Sequence, residues 1–193
     1  MAAKVLTDAE VKRVLAVIAQ RRHAARDRLI FQFTLLAGMR ACEVAALQVG
    51  DVLQADGAAK AEIALRASQT KGSKPRTVYV SKRLQKEIAL YAGANCNGAA
   101  PELFASQKTN RAFTAHGVVL LLKGIYADAN VFGASSHSGR RTFLTRLAER
   151  GISPFVMKEL AGHKNIATTQ RYVDVGEHQL RKALENYNSN FRS

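Results

Sequence analysis

Four short segments of the chain carry side chains that could bind an anion or transfer a proton. In two of them an arginine and a second polar residue stand three positions apart, on one face of a helix. Arg40 and Glu43 stand three positions apart, so on a helix the carboxylate can brace the guanidinium while its outer edge faces an anion. His137 and Arg140 share one face at a predicted helix start, where backbone N–H groups and the helix dipole also favour an anion. Taken singly, such patterns are more typical of surface ion pairs and helix caps.

A basic turn forms the third segment, from Thr70 to Thr77. It places Lys71, Lys74 and Arg76 at a strand-turn-strand tip, which can reach into a groove or simply face solvent. Its Gly-Ser-Lys sequence is not a Walker A loop, because that motif joins a strand to a helix.

The fourth segment runs from Leu160 to Val173 and contains His163, Lys164 and, nine residues past the histidine, Tyr172. Residues 153–173 also read as helix, glycine turn, helix, which is typical of DNA-binding regulators. In that alternative interpretation the protein binds DNA without cutting it, and Tyr172 is a core or backbone-contacting residue.

These segments, in this order, resemble the catalytic domain of the tyrosine recombinases, the phage integrases and their relatives. The resemblance rests on Arg with Glu three residues on, a hairpin lysine, His-x-x-Arg, and Leu-Ala-Gly-His followed by tyrosine. It extends from about Leu6 to Arg181. It implies a site-specific DNA recombinase or integrase that cuts and rejoins strands through a 3′-phosphotyrosyl intermediate.

The resemblance implies that Tyr172 is the nucleophile and that Arg40 and Arg140 clamp the non-bridging phosphate oxygens. A phenol with an ordinary pKa of about 10 needs nearby positive charge or a base to attack at neutral pH. The implied catalytic set is Arg40, Lys71, His137, Arg140, His163 and Tyr172, with Glu43 in support and Lys74, Arg76, Arg141 and Lys164 contacting DNA.

Proton transfer is assigned by the same resemblance. His137 would move protons to or from the tyrosine, His163 would donate a hydrogen bond to the phosphate, and Lys71 would protonate the departing 5′ oxygen. Lys74 or Arg76 could serve in place of Lys71, so the general acid stays open. No cofactor or metal is implied, since two-metal chemistry needs clustered carboxylates.

The composition agrees with a nucleic-acid partner. The chain of 193 residues has 29 Lys and Arg against 15 Asp and Glu, a formal net charge of +14. Such a surface favours a phosphate backbone. No apolar run approaches the ~20 residues of a membrane span, and Cys42 and Cys96 lack metal-site spacing. We therefore expect a cytoplasmic, DNA-associated protein bound to double-stranded DNA.

The elements that must position these residues are mainly helical, with a small three-stranded antiparallel sheet. Capping residues and glycines predict most helix ends, notably Thr7, Gly38, Thr114, Ser153 and Gly162. The predicted strands are Val49–Leu53, Ala61–Arg66 and Thr77–Val80, and the predicted helices are about 8–20, 24–37, 39–47, 82–92, 115–128, 138–150, 154–161, 166–173 and 177–188.

We expect residues 1–193 to form a single catalytic domain with no separate amino-terminal DNA-binding domain, as in short family members of the fimbrial-switch type; a truncated chain is the other interpretation. The resemblance also implies a dimer to tetramer on DNA, with the last helix docking in its own domain or on a neighbour, and leaves room for an accessory DNA-bending protein. A type IB topoisomerase shares this chemistry, but its usual extra clamp segments are absent.

Overall fold

Nine α-helices, two strands and the short 3₁₀-helix Ala67–Gln69 follow one another in the described part of the computed structural model, residues 3–95, 101–105, 112–173, 181, 184, 185 and 187. The chain divides into two units, residues 1–143 and 144–193, and α7 runs across that boundary. The elements are α1 Asp8–Ala19, α2 Ala24–Leu36, α3 Ala41–Ala45, α4 Val49–Val52, β1 Glu62–Leu65, β2 Arg76–Tyr79, α5 Lys82–Asn95, α6 Ala115–Asp128, α7 Ser138–Glu149, α8 Pro154–Ala161 and α9 Ile166–Gln170.

Side-chain caps begin several helices where the sequence predicts them. The hydroxyl of Thr7 accepts from the backbone N–H of Glu10, and the Glu10 carboxylate accepts from the backbone N–H of Thr7, so the predicted capping box is confirmed. Thr114 and Ser153 cap α6 and α8 in the same way with their hydroxyl oxygens. These bonds satisfy N–H groups that a helix leaves unpaired at its first turn.

Helix α2 is the centre of the first unit. It packs against α1, α3, α5 and α6. From Leu29 to Leu35 every residue of α2 is buried, as expected for a helical segment covered by neighbours on all sides. Edge-on contacts of Phe31 with Tyr126 and of Phe33 with Phe104 join it to its surroundings. Its buried apolar side chains are Leu29, Ile30, Phe31, Phe33 and Leu35.

In the described residues the sheet has two strands, so the prediction of three is wrong. Strands β1 and β2 pair antiparallel, from Glu62 opposite Tyr79 to Leu65 opposite Arg76. The predicted first strand is instead the helical turn α4, because the Asp51 carboxylate accepts from the backbone N–H of Gln48 at 2.9 Å and closes that turn. Over only five residues, the alternating apolar pattern of a strand cannot be distinguished from the apolar pattern of a helical turn. The mainly helical fold with a small antiparallel sheet is confirmed.

The second unit contains α8 and α9, which pack together. Met157 and Ala161 of α8 are buried. The last predicted helix, 177–188, lies largely outside the described residues; its described positions 181, 184, 185 and 187 are helical, and the side chains of Leu184 and Tyr187 are exposed. In the described ranges, none of the helices combines the length and apolar character needed to cross a bilayer.

Helix α7 begins in close contact with α2, at Gly139. A Cβ at this position would overlap the Thr34 hydroxyl and lie 2.9 Å from the Thr34 Cβ and 3.3 Å from its carbonyl carbon. Thr34 is fully buried and its hydroxyl donates to the Phe31 carbonyl, so it has no room to yield. Because Gly139 has no side chain, the start of α7 can pack directly against Thr34 of α2.

We predict that Gly139→Ala lowers the free energy of unfolding by about 1–3 kcal/mol, because the added methyl overpacks this contact. Gly124→Ala, on α6 with nothing within 4 Å of the new carbon, should raise it by about 0.5–1 kcal/mol. Urea denaturation of both variants checks this. Equal effects at the two glycines would contradict the packing argument.

Candidate active site

A fully buried carboxylate, that of Glu43 on α3, holds two arginines of the first unit. Arg40 donates its backbone N–H to Oε2 at 2.8 Å and its Nη1 to Oε1 at 2.9 Å. Arg76 on β2 donates Nε to Oε1 at 3.0 Å and Nη2 to Oε2 at 2.7 Å. Both guanidinium groups are fixed in direction by one shared acceptor.

The ionisation of Glu43 depends on these partners. Burial alone would raise the pKa of Glu43, since an ionised carboxylate loses its hydration inside the protein. The hydrogen bond and charge of Arg76, with the backbone hydrogen bond and charge of Arg40, outweigh burial and hold the pKa below its ordinary value of 4.5. At neutral pH the cluster of two guanidinium groups and one carboxylate therefore carries a net positive charge.

Arg76 points inward, which the sequence analysis missed. Its side chain is 10% exposed, against 21% for Arg40. The signal was present in the sequence: Arg76 and Val78 of β2 and Val80 just after it stand at alternate positions, and both valines are buried. Alternate residues of a strand share a face, so Arg76 lies on the inward face. It contacts Glu43 there, and its predicted contact with DNA stays a prediction.

Arg140, on the first turn of α7, is buried and donates Nη1 to the carbonyl oxygen of Gly38 at 2.5 Å. Gly38 lies two residues before Arg40, so the structure brings the two predicted clamp arginines to the same short segment. Gly38 has the predicted positive φ, +60°, and a Cβ there would lie 2.5 Å from the ring of Phe143. Both facts require glycine at this position.

His137 and Arg141 flank Arg140 at the same helix end. His137 is exposed, and its carbonyl oxygen accepts from the backbone N–H of Arg141 at 2.8 Å in the first turn of α7. Arg141 is half-buried, and within the described part of the chain its buried Nε has no hydrogen-bond partner. Of the two adjacent arginines, Arg140 is thus the one tied to the Arg40 segment.

Lys71 and Lys74 lie on the loop between β1 and β2, and both are exposed. The hydroxyl of Thr70 donates to the Lys74 carbonyl at 2.6 Å and closes the loop, which turns through positive φ at Gly72 and Ser73. The two lysines lie on the same loop and are both exposed, so their positions do not show which of them is the general acid.

The second unit brings His163 and Tyr172 together. Gly162 ends α8 in the left-handed conformation, as predicted, so His163 follows that turn directly. The rings of His163 and Tyr172 are stacked, with centroids 6.4 Å apart and planes inclined by 18°. His163 Nδ1 lies 2.9 Å from the hydroxyl of Thr169, a residue that the sequence analysis did not single out. Lys164 is exposed.

The chemistry available to these side chains is that of anion binding and proton transfer. The predicted site residues carry guanidinium, ammonium and imidazole groups, together with the phenol of Tyr172 and the carboxylate of Glu43. Across the described residues, no three His, Cys, Asp or Glu side chains are grouped so that they could hold a metal ion. A phosphate group is the ligand that fits two braced guanidinium groups at a helix start.

The comparisons with known proteins agree with this chemistry. The model of the phage integrase family matches residues 4–179, which include α1 to α9 and every predicted site residue. The chain belongs to the phage integrase family, and the resemblance noted in the sequence is confirmed.

Named relatives include the tyrosine recombinase XerA of Pyrococcus horikoshii, 33% identical over 94% of this chain, and that of Thermococcus kodakarensis, 36% identical over 94%. The chain spans 60% and 62% of the length of these two relatives. Among solved structures, a XerA recombinase crystal structure has a TM-score of 0.76 at 21% identity, covering 97% of this chain and 66% of that one. The Tn1549 transposon integrase in complex with transposon right end DNA has a TM-score of 0.75 at 20% identity, covering 96% and 66%. These structures share the fold.

We predict that Glu43→Gln lowers the free energy of unfolding at pH 7 by about 3 kcal/mol, because it leaves two guanidinium groups without their counter-charge. Because the pKa of Glu43 is lowered in the folded state, its stabilisation is full above its ordinary pKa of 4.5 and is lost as the pH falls below it. The difference between wild type and Glu43→Gln should therefore shrink in acid.

Glu159→Gln is the control, since Glu159 pairs with Lys158 on the surface and its side chain is 76% exposed. It should change the free energy of unfolding by less than about 1 kcal/mol. Urea denaturation at several pH values measures both variants. A difference for Glu43→Gln that does not vary with pH would contradict the assignment of its ionised state.

Proposed function

We propose that this chain is the catalytic part of a site-specific tyrosine recombinase, an enzyme that cuts and rejoins DNA strands through a 3′-phosphotyrosyl intermediate. One observation carries the proposal: in a member of the phage integrase family, Arg40 is braced by buried Glu43 while Arg140 is bound to the carbonyl of Gly38. Two guanidinium groups are thus held at one segment by partners that remain inside the protein.

The two arginines suit the charge that develops at phosphorus. Attack on a phosphodiester gives a five-coordinate phosphorus whose non-bridging oxygens carry extra negative charge. Arg40 and Arg140 carry cationic guanidinium groups, which bind such oxygens through paired N–H groups. Because their directions are set before DNA binds, little reorganisation is needed as the charge develops.

The cleavage step uses Tyr172 as nucleophile. Its phenol oxygen forms a bond to phosphorus, the bond from phosphorus to the 5′ oxygen breaks, and the electron pair of that bond leaves with the 5′ oxygen. His137 takes the phenol proton, His163 donates a hydrogen bond to the phosphate, and Lys71 gives a proton to the departing 5′ oxygen.

Rejoining follows from the energy kept in the tyrosyl ester. The 5′-hydroxyl of a second strand attacks the phosphotyrosine and reverses the step on a new partner, so ATP is not consumed. Exchange between two duplexes involves four strands, each needing one tyrosine. We therefore propose a dimer on each DNA site and a tetramer during exchange, acting on double-stranded cellular DNA in the cytoplasm.

The domain organisation belongs to the same proposal. The family model spans both units of the chain, and the relatives extend beyond it in length. We propose that both units act together as one catalytic domain over residues 1–193.

A non-enzymatic helix-turn-helix regulator fits less well. Its second helix would be α9, which has five residues, Ile166–Gln170. A recognition helix that lies in the major groove needs several turns to present base-contacting side chains.

We predict that the wild-type protein forms a covalent adduct with DNA and that Tyr172→Phe forms none, because the variant lacks the nucleophilic oxygen. The substrate is a pool of nicked duplexes with a randomised central segment, from which covalent complexes are recovered under denaturing conditions and sequenced. Trypsin cuts after Arg171 and Arg181, so Tyr172 falls in peptide 172–181. It also cuts after Lys182 and Arg192, so Tyr187 falls in peptide 183–192. Mass spectrometry therefore identifies the attached tyrosine.

Tyr187→Phe is the matched control and should form the adduct normally. A nucleotide on peptide 183–192 would move the nucleophile to Tyr187. DNA binding without any adduct, on a sequence that the pool selects, would favour a regulator.

A second prediction concerns the general acid. On the selected site, we expect Lys71→Ala to slow cleavage by about a hundredfold or more, and a sulphur in place of the bridging 5′ oxygen to restore the rate. The rescue arises because a thiolate leaves without a proton. Lys74→Ala, from the same exposed loop, should slow cleavage little and gain nothing from sulphur.

The rate of strand cleavage, measured on denaturing gels for both variants and both substrates, shows which lysine is the general acid. Rescue of Lys74→Ala alone would transfer the role of general acid to Lys74. The arginine clamp is not affected by the substitution, since the changed atom is the bridging oxygen.

A further inference from the structure

We propose that Thr169 is a positioning residue that sets the tautomer of His163, so that Nε2 carries the ring proton and acts as a hydrogen-bond donor. This inference rests on the proposed function for its purpose, but not for its geometry. Its basis is the contact between the Thr169 hydroxyl and Nδ1 of His163, at 2.9 Å.

The direction of this hydrogen bond follows from burial. Thr169 is fully buried, and a buried hydroxyl proton without an acceptor carries a large cost. Within the described part of the chain, Nδ1 of His163 is the one hydrogen-bond partner of this hydroxyl. The hydroxyl therefore donates, and Nδ1 accepts with its lone pair.

Other buried threonines of this chain behave differently. The hydroxyl of Thr34 donates to the carbonyl of Phe31 at 2.7 Å, and that of Thr142 to the carbonyl of Ser138 at 2.7 Å. Each uses its proton on its own helix, as is usual for helical threonine. Thr169 stands near the end of a helix and directs its hydroxyl to a ring instead.

The consequence for His163 is specific. In a neutral imidazole one nitrogen carries the proton and the other accepts, so occupation of the Nδ1 lone pair assigns the proton to Nε2. A donor at Nε2 can bind a non-bridging phosphate oxygen. The opposite tautomer would present a lone pair and would repel that oxygen.

Thr169 also fixes the chain that carries Tyr172. Its carbonyl oxygen accepts from the backbone N–H of Tyr172 at 3.0 Å. One residue thus orients the histidine ring with its side chain and holds the tyrosine backbone with its carbonyl. Because the backbone bond survives any side-chain substitution, the hydroxyl can be tested separately.

The experiment is nitrogen NMR on the full chain labelled with ¹⁵N-histidine, with His163→Gln used to assign the signals. In the wild type we expect an unprotonated Nδ1 and a protonated Nε2 at neutral pH. Thr169→Ser keeps the hydroxyl and should retain this pattern. Thr169→Val has nearly the same shape without a hydroxyl, and its two ring signals should move toward each other as the tautomers exchange.

Thr168→Val is the matched control, because Thr168 is the exposed neighbour on the same helix. It should leave the His163 signals unchanged. A proton on Nδ1 in the wild type would overturn the proposal, and this reading requires no variant to fold. Identical ring signals in wild type and Thr169→Val would also overturn it.

Adduct formation on the selected DNA provides the functional arm. We expect Thr169→Val to reduce the cleavage rate about tenfold, as for the loss of one hydrogen bond to a phosphate, and Thr169→Ser to restore it. The two arms separate the hypotheses. No adduct from the wild type with the expected NMR pattern defeats the proposed function and leaves the tautomer assignment standing, whereas normal cleavage by Thr169→Val defeats the positioning role.

Discussion

The charge of Glu43 inside the protein is the constraint on which the first unit depends. An ionised carboxylate without partners is too costly to bury, so Arg40 and Arg76 must be present and correctly turned before α3 can pack. The requirement connects three parts of the chain: α3, the residue that precedes it and the strand β2. Because a guanidinium group is flat and its hydrogen bonds are directional, the direction of Arg40 is decided by folding.

The second unit achieves orientation without buried charge. There the directing group is the neutral hydroxyl of Thr169, and the oriented group is the ring of His163, stacked on Tyr172. In the proposed function the Tyr172 phenol loses its proton, and a fixed carboxylate nearby would oppose that loss, whereas a neutral hydroxyl does not. The two units thus use different means suited to their groups.

Local rules allowed much of this to be predicted from the sequence. Caps such as Thr7 and the glycine at position 38 depend on a few neighbouring residues, and the structure confirms them. The prediction of a strand over Val49–Leu53 was wrong because Val49 and Val52 fit a helical turn as well as an alternating pattern. The inward direction of Arg76 could have been predicted, because Arg76 and buried Val78 lie on the same face of the strand. It was missed because a charged residue is usually expected to face solvent. The role of Thr169 depends on a contact across a turn, which no spacing rule reports.

The acceptor that binds Arg140 is a main-chain oxygen, which every amino acid possesses. Random replacement of side chains cannot delete it; only a change in the path of the chain can. As the sequence changes during evolution, no side-chain substitution at position 38 can remove the carbonyl oxygen that accepts from Arg140. The hydrogen bond is instead sensitive to substitution of Gly38 for steric reasons, because the aromatic ring of Phe143 leaves no space for a side chain there.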